Sequence, residues 1–300
     1  MLRWQWQRMR NPPPPSPEGA AFPRAQPDIA WPTAPPEELR ITWVGQATFL
    51  IQIGGLNLLT DPVFSERASP VSWWGPLRFS APGIQLAELP PIHAVLLSHD
   101  HYDHLDDRSV RALAAAHPEA HWVAPLGHAD FLRRRAARHI HEHDWWQTRN
   151  FPMAPRPLSI TALPVQHWTR RVDSPANARL WCSWRITGQW HSVYFAGDSG
   201  YCPAFREIGE QLGPCDVALL PIGAYEPRWF MRVAHMNPEE ALQAFQELQA
   251  RHFVAMHWGT FRLTDEDPLE PPLRLRGAWS QAGLPDERLH IPALGETRCF

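Results

Sequence analysis

The most informative stretch of this 300-residue sequence is the heptapeptide Ser98-His99-Asp100-His101-Tyr102-Asp103-His104. Its spacing is H-x-H-x-D-H, and imidazole nitrogens and carboxylate oxygens are the ligands that zinc-like divalent cations accept. The apolar run 92–97 before it predicts a buried strand, and the run 106–116 after it predicts a helix. We therefore expect the heptapeptide on a strand-to-helix loop, where a rigid scaffold commonly presents chemistry. A solvated loop that happens to be rich in histidine is the alternative.

Composition predicts a globular protein without a general attraction to nucleic acid. Hydrophobic residues make up 44% and charged residues 20%, and the net charge of −3 gives no basic field for nucleic acid. The four cysteines show no C-x-x-C spacing, which favours free thiols in a reducing compartment. No apolar run approaches the ~18–20 residues of a membrane span. We expect a cytoplasmic protein, with peripheral contact to a membrane as an alternative.

Proline divides the chain into an arm and a folded domain. Residues 1–39 predict an extended, proline-rich N-terminal arm, and residues 40–300 predict the folded domain. Trp4 and Trp6 lie among three arginines at the start of the arm, a mixture that suits an anchor on anionic lipid. An arm that packs on its own domain, or that is disordered, is the competing interpretation.

Three later strand patterns each end in a residue that can ligate a metal. The residues are His167, Asp198 and His257. Each alone would more often be incidental, but together with the heptapeptide they make four ligand-bearing strand ends. Asp61 also ends a strand pattern. An aspartate there either holds a metal-bound histidine from behind or caps an ordinary turn.

These ligand types, in this order, resemble the metallo-β-lactamase superfamily over about residues 40–300. The resemblance implies an α/β fold, an αββα four-layer sandwich with the site at one edge of the sheets. It also implies two adjacent metal ions, taken as two Zn²⁺ with Mn²⁺ or Fe²⁺ as alternatives. The implied ligands are His99, His101 and His167 for one ion, Asp103, His104 and His257 for the other, and Asp198 as the bridge.

Longer runs resemble the N-acylphosphatidylethanolamine-hydrolysing phospholipases D. They are residues 43–49, 60–64, 222–231, 237–241 and 257–261. Gln46 departs from the family pattern, where histidine is common, and we expect this to affect the site little. The resemblance implies a dinuclear metal-dependent phosphodiesterase that releases N-acylethanolamine and phosphatidic acid. A phospholipid is then the expected partner, and a homodimer stays an open alternative.

Several residues besides the histidine ligands are candidates for catalysis or substrate contact. His235 is the candidate for contacting phosphate or assisting the leaving alkoxide, a role that the resemblance implies more than the spacing does. Asp100 is a candidate for orienting groups or relaying a proton, and Asp103 combines a ligand's role with a catalytic one. The candidate substrate contacts are aromatic: Tyr225, Trp73, Trp74 and Trp229.

Two other classes of function compete with this interpretation. One is a different hydrolase on the same fold, either a sugar-phosphate lactonase with a small polar pocket or a nuclease with a basic groove. The other is a metal-stabilised lipid-binding protein without activity. Two adjacent metals argue against the latter, because a structural site is closed and needs no second ion beside it.

Overall fold

The computed structural model describes residues 2–10, 12–151 and 157–300, and the strands within them form two seven-stranded sheets. The first sheet contains, in spatial order, β14 (Thr297–Cys299), β1 (Leu39–Gly45), β2 (Thr48–Ile53), β3 (Leu56–Thr60), β4 (Ala94–Leu96), β5 (His121–Pro125) and β6 (His139–His143). The second contains β13 (Leu289–His290), β12 (His252–Met256), β11 (Val217–Pro221), β10 (Ser192–Phe195), β9 (Ser183–Thr187), β8 (Ser159–Leu163) and β7 (Thr148–Asn150).

The described residues contain the helices α1 (Leu2–Arg10), α2 (Asp107–Ala116), α3 (Ala129–Arg133), α4 (Ala204–Leu212), α5 (Arg228–Met231), α6 (Pro238–Glu247) and α7 (Glu270–Gln281). Leu113 of α2 and Phe131 of α3 pack with the first sheet, and Phe205 of α4 and Phe245 of α6 pack with the second. The αββα four-layer sandwich is confirmed. Across the described residues, none of these helices combines the length and apolarity needed to cross a bilayer.

Local chemistry sets where the helices beside the site begin. The Asp106 carboxylate accepts a hydrogen bond from the Ser109 amide and caps α2. Asn237 and Glu240 form a reciprocal capping box at the start of α6, with a proline in its first turn. The sequence pattern predicts α3 over residues 128–137, but the helix is shorter because Ala136 takes a left-handed backbone conformation with φ of 67°.

Both sheets follow the same plan of strand directions. β1, β2 and β3 are antiparallel neighbours, and β3 to β6 run parallel. In the second sheet β7 to β10 alternate in direction, and β10 to β13 run parallel. Trp184 links the sheets, because its indole nitrogen donates to the Leu97 carbonyl at 2.9 Å. The segments after β4, β8, β10 and β12 therefore converge at one edge of the sandwich.

The N-terminal arm packs on its own domain. Leu294 and residues 23–25 exchange backbone hydrogen bonds, and Phe22 is buried. The expectation of an extended arm is wrong for residues 2–10, which form α1. These nine residues contain no proline, and Trp4 and Arg8 lie one turn apart and both contact the Asp265 carboxylate.

Candidate metal centre

The loop between β4 and α2 and three strand ends of the second sheet bring seven side chains together. The loop carries His99, His101, Asp103 and His104, whereas His167, Asp198 and His257 follow β8, β10 and β12. Among the sets whose ligand atoms lie within 4.8 Å of one another, two together contain all seven of these residues, and each of the two draws on segments of both sheets. The site therefore exists only when the two sheets are packed together.

The first set consists of three imidazoles. His101 Nδ1 lies 3.0 Å from His99 Nε2 and 3.2 Å from His167 Nε2. Burial and the neighbouring histidines lower the pKa of His99, and burial lowers the pKa of His167 to about 3 and that of His101 to about 4. The rings are therefore neutral near pH 7, and neutral imidazole is the form that ligates a metal.

The second set is richer in carboxylates. His257 Nε2 lies 3.2 Å from Asp103 Oδ2 and 3.1 Å from His104 Nε2. Burial would lower the pKa of His257, but the Asp198 and Asp103 carboxylates raise it to about 9. Burial would raise the pKa of the Asp103 and Asp198 carboxyls, but the neighbouring His104 and His257 rings hold it well below the usual range. Carboxylates held ionised in a buried site favour a bound cation.

Asp198 lies between the two sets. Its Oδ2 atom is 3.1 Å from His104 Nε2, 3.9 Å from His99 Nε2 and 3.8 Å from His167 Nε2. Its Oδ1 atom is buried, is 3.1 Å from His257 Nε2, and makes no hydrogen bond to any residue that the structure describes. Nitrogen and oxygen ligand atoms that converge around such a buried oxygen are a donor set that suits a divalent cation.

Asp61 holds one of the ligands from behind. The His104 Nδ1–H group donates to Asp61 Oδ2 at 2.7 Å, and the Ser98 amide donates to Asp61 Oδ1 at 2.7 Å. This leaves His104 Nε2 directed at the site. Of the two interpretations of Asp61, the structure favours support of a ligand over an ordinary turn cap.

Gln46 also contacts the site directly. Its side-chain amide is buried and donates to Asp103 Oδ2 at 2.9 Å. The expectation that this departure from the family pattern affects the site little stays a prediction, and the contact makes it testable at Asp103. The residue type was visible in the sequence, but its contact with Asp103 needs the tight turn between β1 and β2, where Gln46 has φ of 54°.

Asp100 is turned away from the metal ligands. It is fully buried, its Oδ1 accepts from the Arg170 amide at 2.9 Å, and its Oδ2 accepts from Arg179 Nη1 at 2.8 Å. A carboxylate whose two oxygens are both engaged in this way is unsuited to the predicted proton relay. Its geometry favours positioning of the chain around Arg170.

His235 faces the metal centre, and its ligand atom forms a further set with those of His167 and Asp198, all within 4.8 Å of one another. Its Nδ1 atom lies 3.8 Å from Asp198 Oδ2 and is buried without a hydrogen-bond partner among the described residues. Burial lowers the pKa of His235 to about 3, so its ring is neutral. This geometry is compatible with the predicted contact to substrate, and it places a free ring nitrogen beside the carboxylate shared by the two sets.

A cavity of about 1140 Å³ opens above the candidate metal ligands. His101, Asp103 and Asp198 line its floor together with His235. Residues 168–176 form one side of the cavity, and all of them except Thr169 line it. We call this stretch the wall segment. The remaining lining is largely apolar and comprises Ala68, Tyr102, Ala224, Met231, Leu263 and Thr264.

The aromatic residues predicted to bind substrate do not line this cavity. Tyr225 is fully buried beneath Arg274, which corrects its predicted direct contact with substrate. Trp73, Trp74 and Trp229 are exposed, and in the sequence they lie close to the lining residues Ala68 and Met231. The sequence argument missed Trp168, whose ring centroid lies 4.4 Å from that of His101; its position directly after a ligand was the available signal.

Comparison with known proteins agrees with this geometry. Residues 56–258 match the family model described as a Beta-lactamase superfamily domain. The chain is 40% identical over 242 residues to "N-acyl-phosphatidylethanolamine-hydrolyzing phospholipase D 1" of Caenorhabditis elegans, covering 78% of this chain and 68% of that protein. It is 30% identical over 230 residues to a "metal-dependent hydrolase" of Pyrobaculum neutrophilum, covering 77% and 88%.

A longer relative and two solved structures extend the comparison. The mitochondrial N-acyl-phosphatidylethanolamine-hydrolyzing phospholipase D of Saccharomyces cerevisiae is 36% identical over 262 residues, 86% of this chain and 55% of its own length. The metallo hydrolase Igni18 of Ignicoccus hospitalis superposes with a TM-score of 0.66, 21% identity and coverage of 88% and 98%. The isothiocyanate hydrolase from Delia radicum gut bacteria superposes with a TM-score of 0.68 and 20% identity, covering 87% of this chain and 98% of its own. These two structures establish the shared fold alone.

Proposed function

This chain belongs to the beta-lactamase superfamily and is a metal-dependent hydrolase, and from that premise we propose that it is a phosphodiesterase of the phospholipase D type. The proposed substrate is an N-acylphosphatidylethanolamine-like lipid, which is hydrolysed to N-acylethanolamine and phosphatidic acid. One observation carries the proposal: two adjacent ligand sets share Asp198 on the floor of an open cavity with partly apolar walls.

The size and chemistry of the cavity support a lipid over the substrates of related hydrolases. A volume of about 1140 Å³ exceeds what a small polar lactone needs, and apolar residues form much of the lining. A net charge of −3 does not supply the basic groove of a nuclease. An open floor also argues against a purely structural site, which would be closed. The C. elegans and yeast relatives carry names that state this activity.

Zinc is the proposed metal, since imidazole nitrogens predominate among the ligands. When bound, two such cations would supply hydroxide at neutral pH and stabilise charge on phosphoryl oxygens. The protein's own contribution is placement. Asp198 fixes the spacing of the two sets, and Asp61 and Gln46 orient His104 and Asp103. No protein nucleophile is needed.

His235 is the proposed contact for the reacting phosphate. Its ring is neutral, so it carries one N–H group, and its Nδ1 atom lies near Asp198 on the cavity floor. A hydrogen bond from this atom to a phosphoryl oxygen, or to the departing alkoxide, would stabilise charge that develops only during the reaction.

The entrance of the cavity supports contact with a membrane surface. Trp73 is 78% and Trp74 is 68% exposed, on the loop whose base contributes Ala68 to the lining. Trp229 and Phe230 are exposed next to Met231, another lining residue. Tryptophan side chains favour the membrane–water interface, so this rim would let a lipid enter the cavity without crossing open water.

Product analysis tests the proposed reaction. Zinc-loaded protein is incubated with N-acylphosphatidylethanolamine in mixed micelles beside the Asp103→Asn/His104→Ala variant and an Asp130→Asn control, whose carboxylate is exposed on α3. We expect N-acylethanolamine and phosphatidic acid from the parent and the control but not from the double variant. Cleavage of a generic phosphodiester or lactone with the lipid untouched would reject the substrate. If the protein binds two metals but cleaves none of these compounds, the proposal that it is an enzyme is rejected.

A further inference from the structure

The wall segment contains a cation that no other group in the described structure neutralises. Arg170 and Arg171 are adjacent and both line the cavity. Arg171 is buried, and its Nη1 atom donates to the Asp100 carbonyl at 2.7 Å and to the Leu105 carbonyl at 2.8 Å, so it serves the fold. Arg170 is exposed, and in the part of the chain that the structure describes its guanidinium has no ion pair or hydrogen bond.

The backbone of Arg170 is nevertheless fixed. Its amide donates to Asp100 Oδ1 at 2.9 Å, and Arg179 holds the other oxygen of the same carboxylate at 2.8 Å. Asp100 lies between the ligands His99 and His101 in the sequence. One buried carboxylate thus ties the wall segment to the metal loop and sets the position of Arg170 relative to the cavity floor.

An arginine that is free at its head and fixed at its backbone suits recognition of an anion. The guanidinium is always charged and matches the geometry of phosphate oxygens. Part of the cavity lining is apolar, which reduces the screening of its charge relative to open solvent. The other cavity cations are committed, because Arg171 is bound to backbone carbonyls and the imidazoles belong to the metal floor.

We infer that Arg170 binds the phosphate oxygens of the substrate in the cavity, and that Asp100 is its positioning residue. The inference rests on the proposed function insofar as the ligand is a phosphodiester lipid and its product a phosphate monoester. The shared chemistry is a phosphate that carries an apolar diacylglycerol group. Recognition by Arg170 favours anionic over neutral lipids independently of bond cleavage.

Equilibrium binding tests this without turnover. Isothermal titration of zinc-loaded full-length protein with soluble dihexanoyl phosphatidic acid is compared with titration of uncharged dihexanoylglycerol. We expect Arg170→Gln to weaken phosphatidic acid binding about tenfold and to leave dihexanoylglycerol unchanged, with partial recovery in Arg170→Lys. Arg133→Gln, at an exposed arginine of α3, is the matched control and should bind as the parent does. Parental affinity for phosphatidic acid in Arg170→Gln would overturn the inference.

The role of Asp100 is tested by a double-mutant cycle. We expect Asp100→Asn to keep two bound metals, to weaken phosphatidic acid binding, and to add little when Arg170 is already glutamine. An equal loss in both backgrounds would show that Asp100 acts independently and would reject the positioning role.

Kinetics separate the phosphate and substrate arms. For cleavage of N-acylphosphatidylethanolamine, Arg170→Gln should raise KM about tenfold while kcat changes less than about twofold. If the parent binds phosphatidic acid through Arg170 but does not cleave the lipid, the proposed function fails and this inference stands. If the lipid is cleaved and neither KM nor binding depends on Arg170, the proposed function stands and the inference about Arg170 fails.

Discussion

The floor and the rim of the cavity are built in opposite ways. On the floor, His104 and Asp198 are at most 3% exposed, and the direction of the His104 ring is set by its hydrogen bond to Asp61. At the rim, by which we mean the exposed residues Trp73 and Trp74, most of each side chain faces solvent. Buried polar groups demand one geometry, whereas exposed apolar groups tolerate several. We therefore expect the floor to determine the reaction and the rim to determine the physical form of the substrate.

The largest effect is expected at the carboxylate shared by both ligand sets. Asp198→Ala should lower kcat/KM about a thousandfold on N-acylphosphatidylethanolamine and on a soluble phosphodiester alike, because several kcal/mol of charge stabilisation are lost. Metal analysis of the purified variant should show fewer than two bound ions. If the variant keeps both ions and most of its activity, Asp198 is not essential for metal binding or for the reaction.

A smaller effect is expected one contact further from the cavity. Asp61→Ala should weaken metal affinity about 10- to 100-fold, because His104 loses the acceptor that orients its ring. Competition against a metal chelator measures this, with Asp61→Asn as the conservative variant that retains an acceptor oxygen. Unchanged affinity in Asp61→Ala would mean that burial alone fixes the direction of His104.

Gln46→Ala should weaken metal affinity about tenfold, consistent with one hydrogen bond to a charged group worth about 1.5 kcal/mol. The same chelator competition measures it, and thermal unfolding of the metal-free protein is the control for a general loss of stability. An effect as large as that of Asp61→Ala would show that the amide does more than orient Asp103.

The sequence is informative about the floor because metal ligands obey local rules. The spacing of His99, His101 and His104 is visible within one loop, and the remaining ligands each end a recognisable strand pattern. The fold follows from the same strands and from the resemblance. The partners of Asp100 could not be predicted in this way, because Arg170 and Arg179 lie about 70 to 80 residues away and only the packed sheets bring them close.

Side-chain direction is the other limit. Tyr225 and Trp229 belong to one run of residues, yet one is buried in the domain and the other is exposed. Composition could mark both as aromatic but not separate them. The helix in the arm was missed for a related reason. Its contacts with Asp265 join residues about 260 positions apart, so a local sequence pattern cannot predict them.

The smallest effect should come from the rim, and it should depend on how the substrate is presented. Trp73→Ser/Trp74→Ser should raise the apparent KM roughly fivefold for lipid in vesicles, because about 1 kcal/mol of apolar contact with the bilayer is lost. Cleavage of a short-chain, monomeric phosphodiester should stay within about twofold of the parent, and stability within about 0.5 kcal/mol. Vesicle sedimentation run beside both assays measures the lost contact directly. An equal loss of activity on monomeric and vesicle substrates would contradict separate roles for the rim and the floor. Side chains that only bring a lipid from the membrane to the cavity should not affect cleavage of a substrate that is already dissolved.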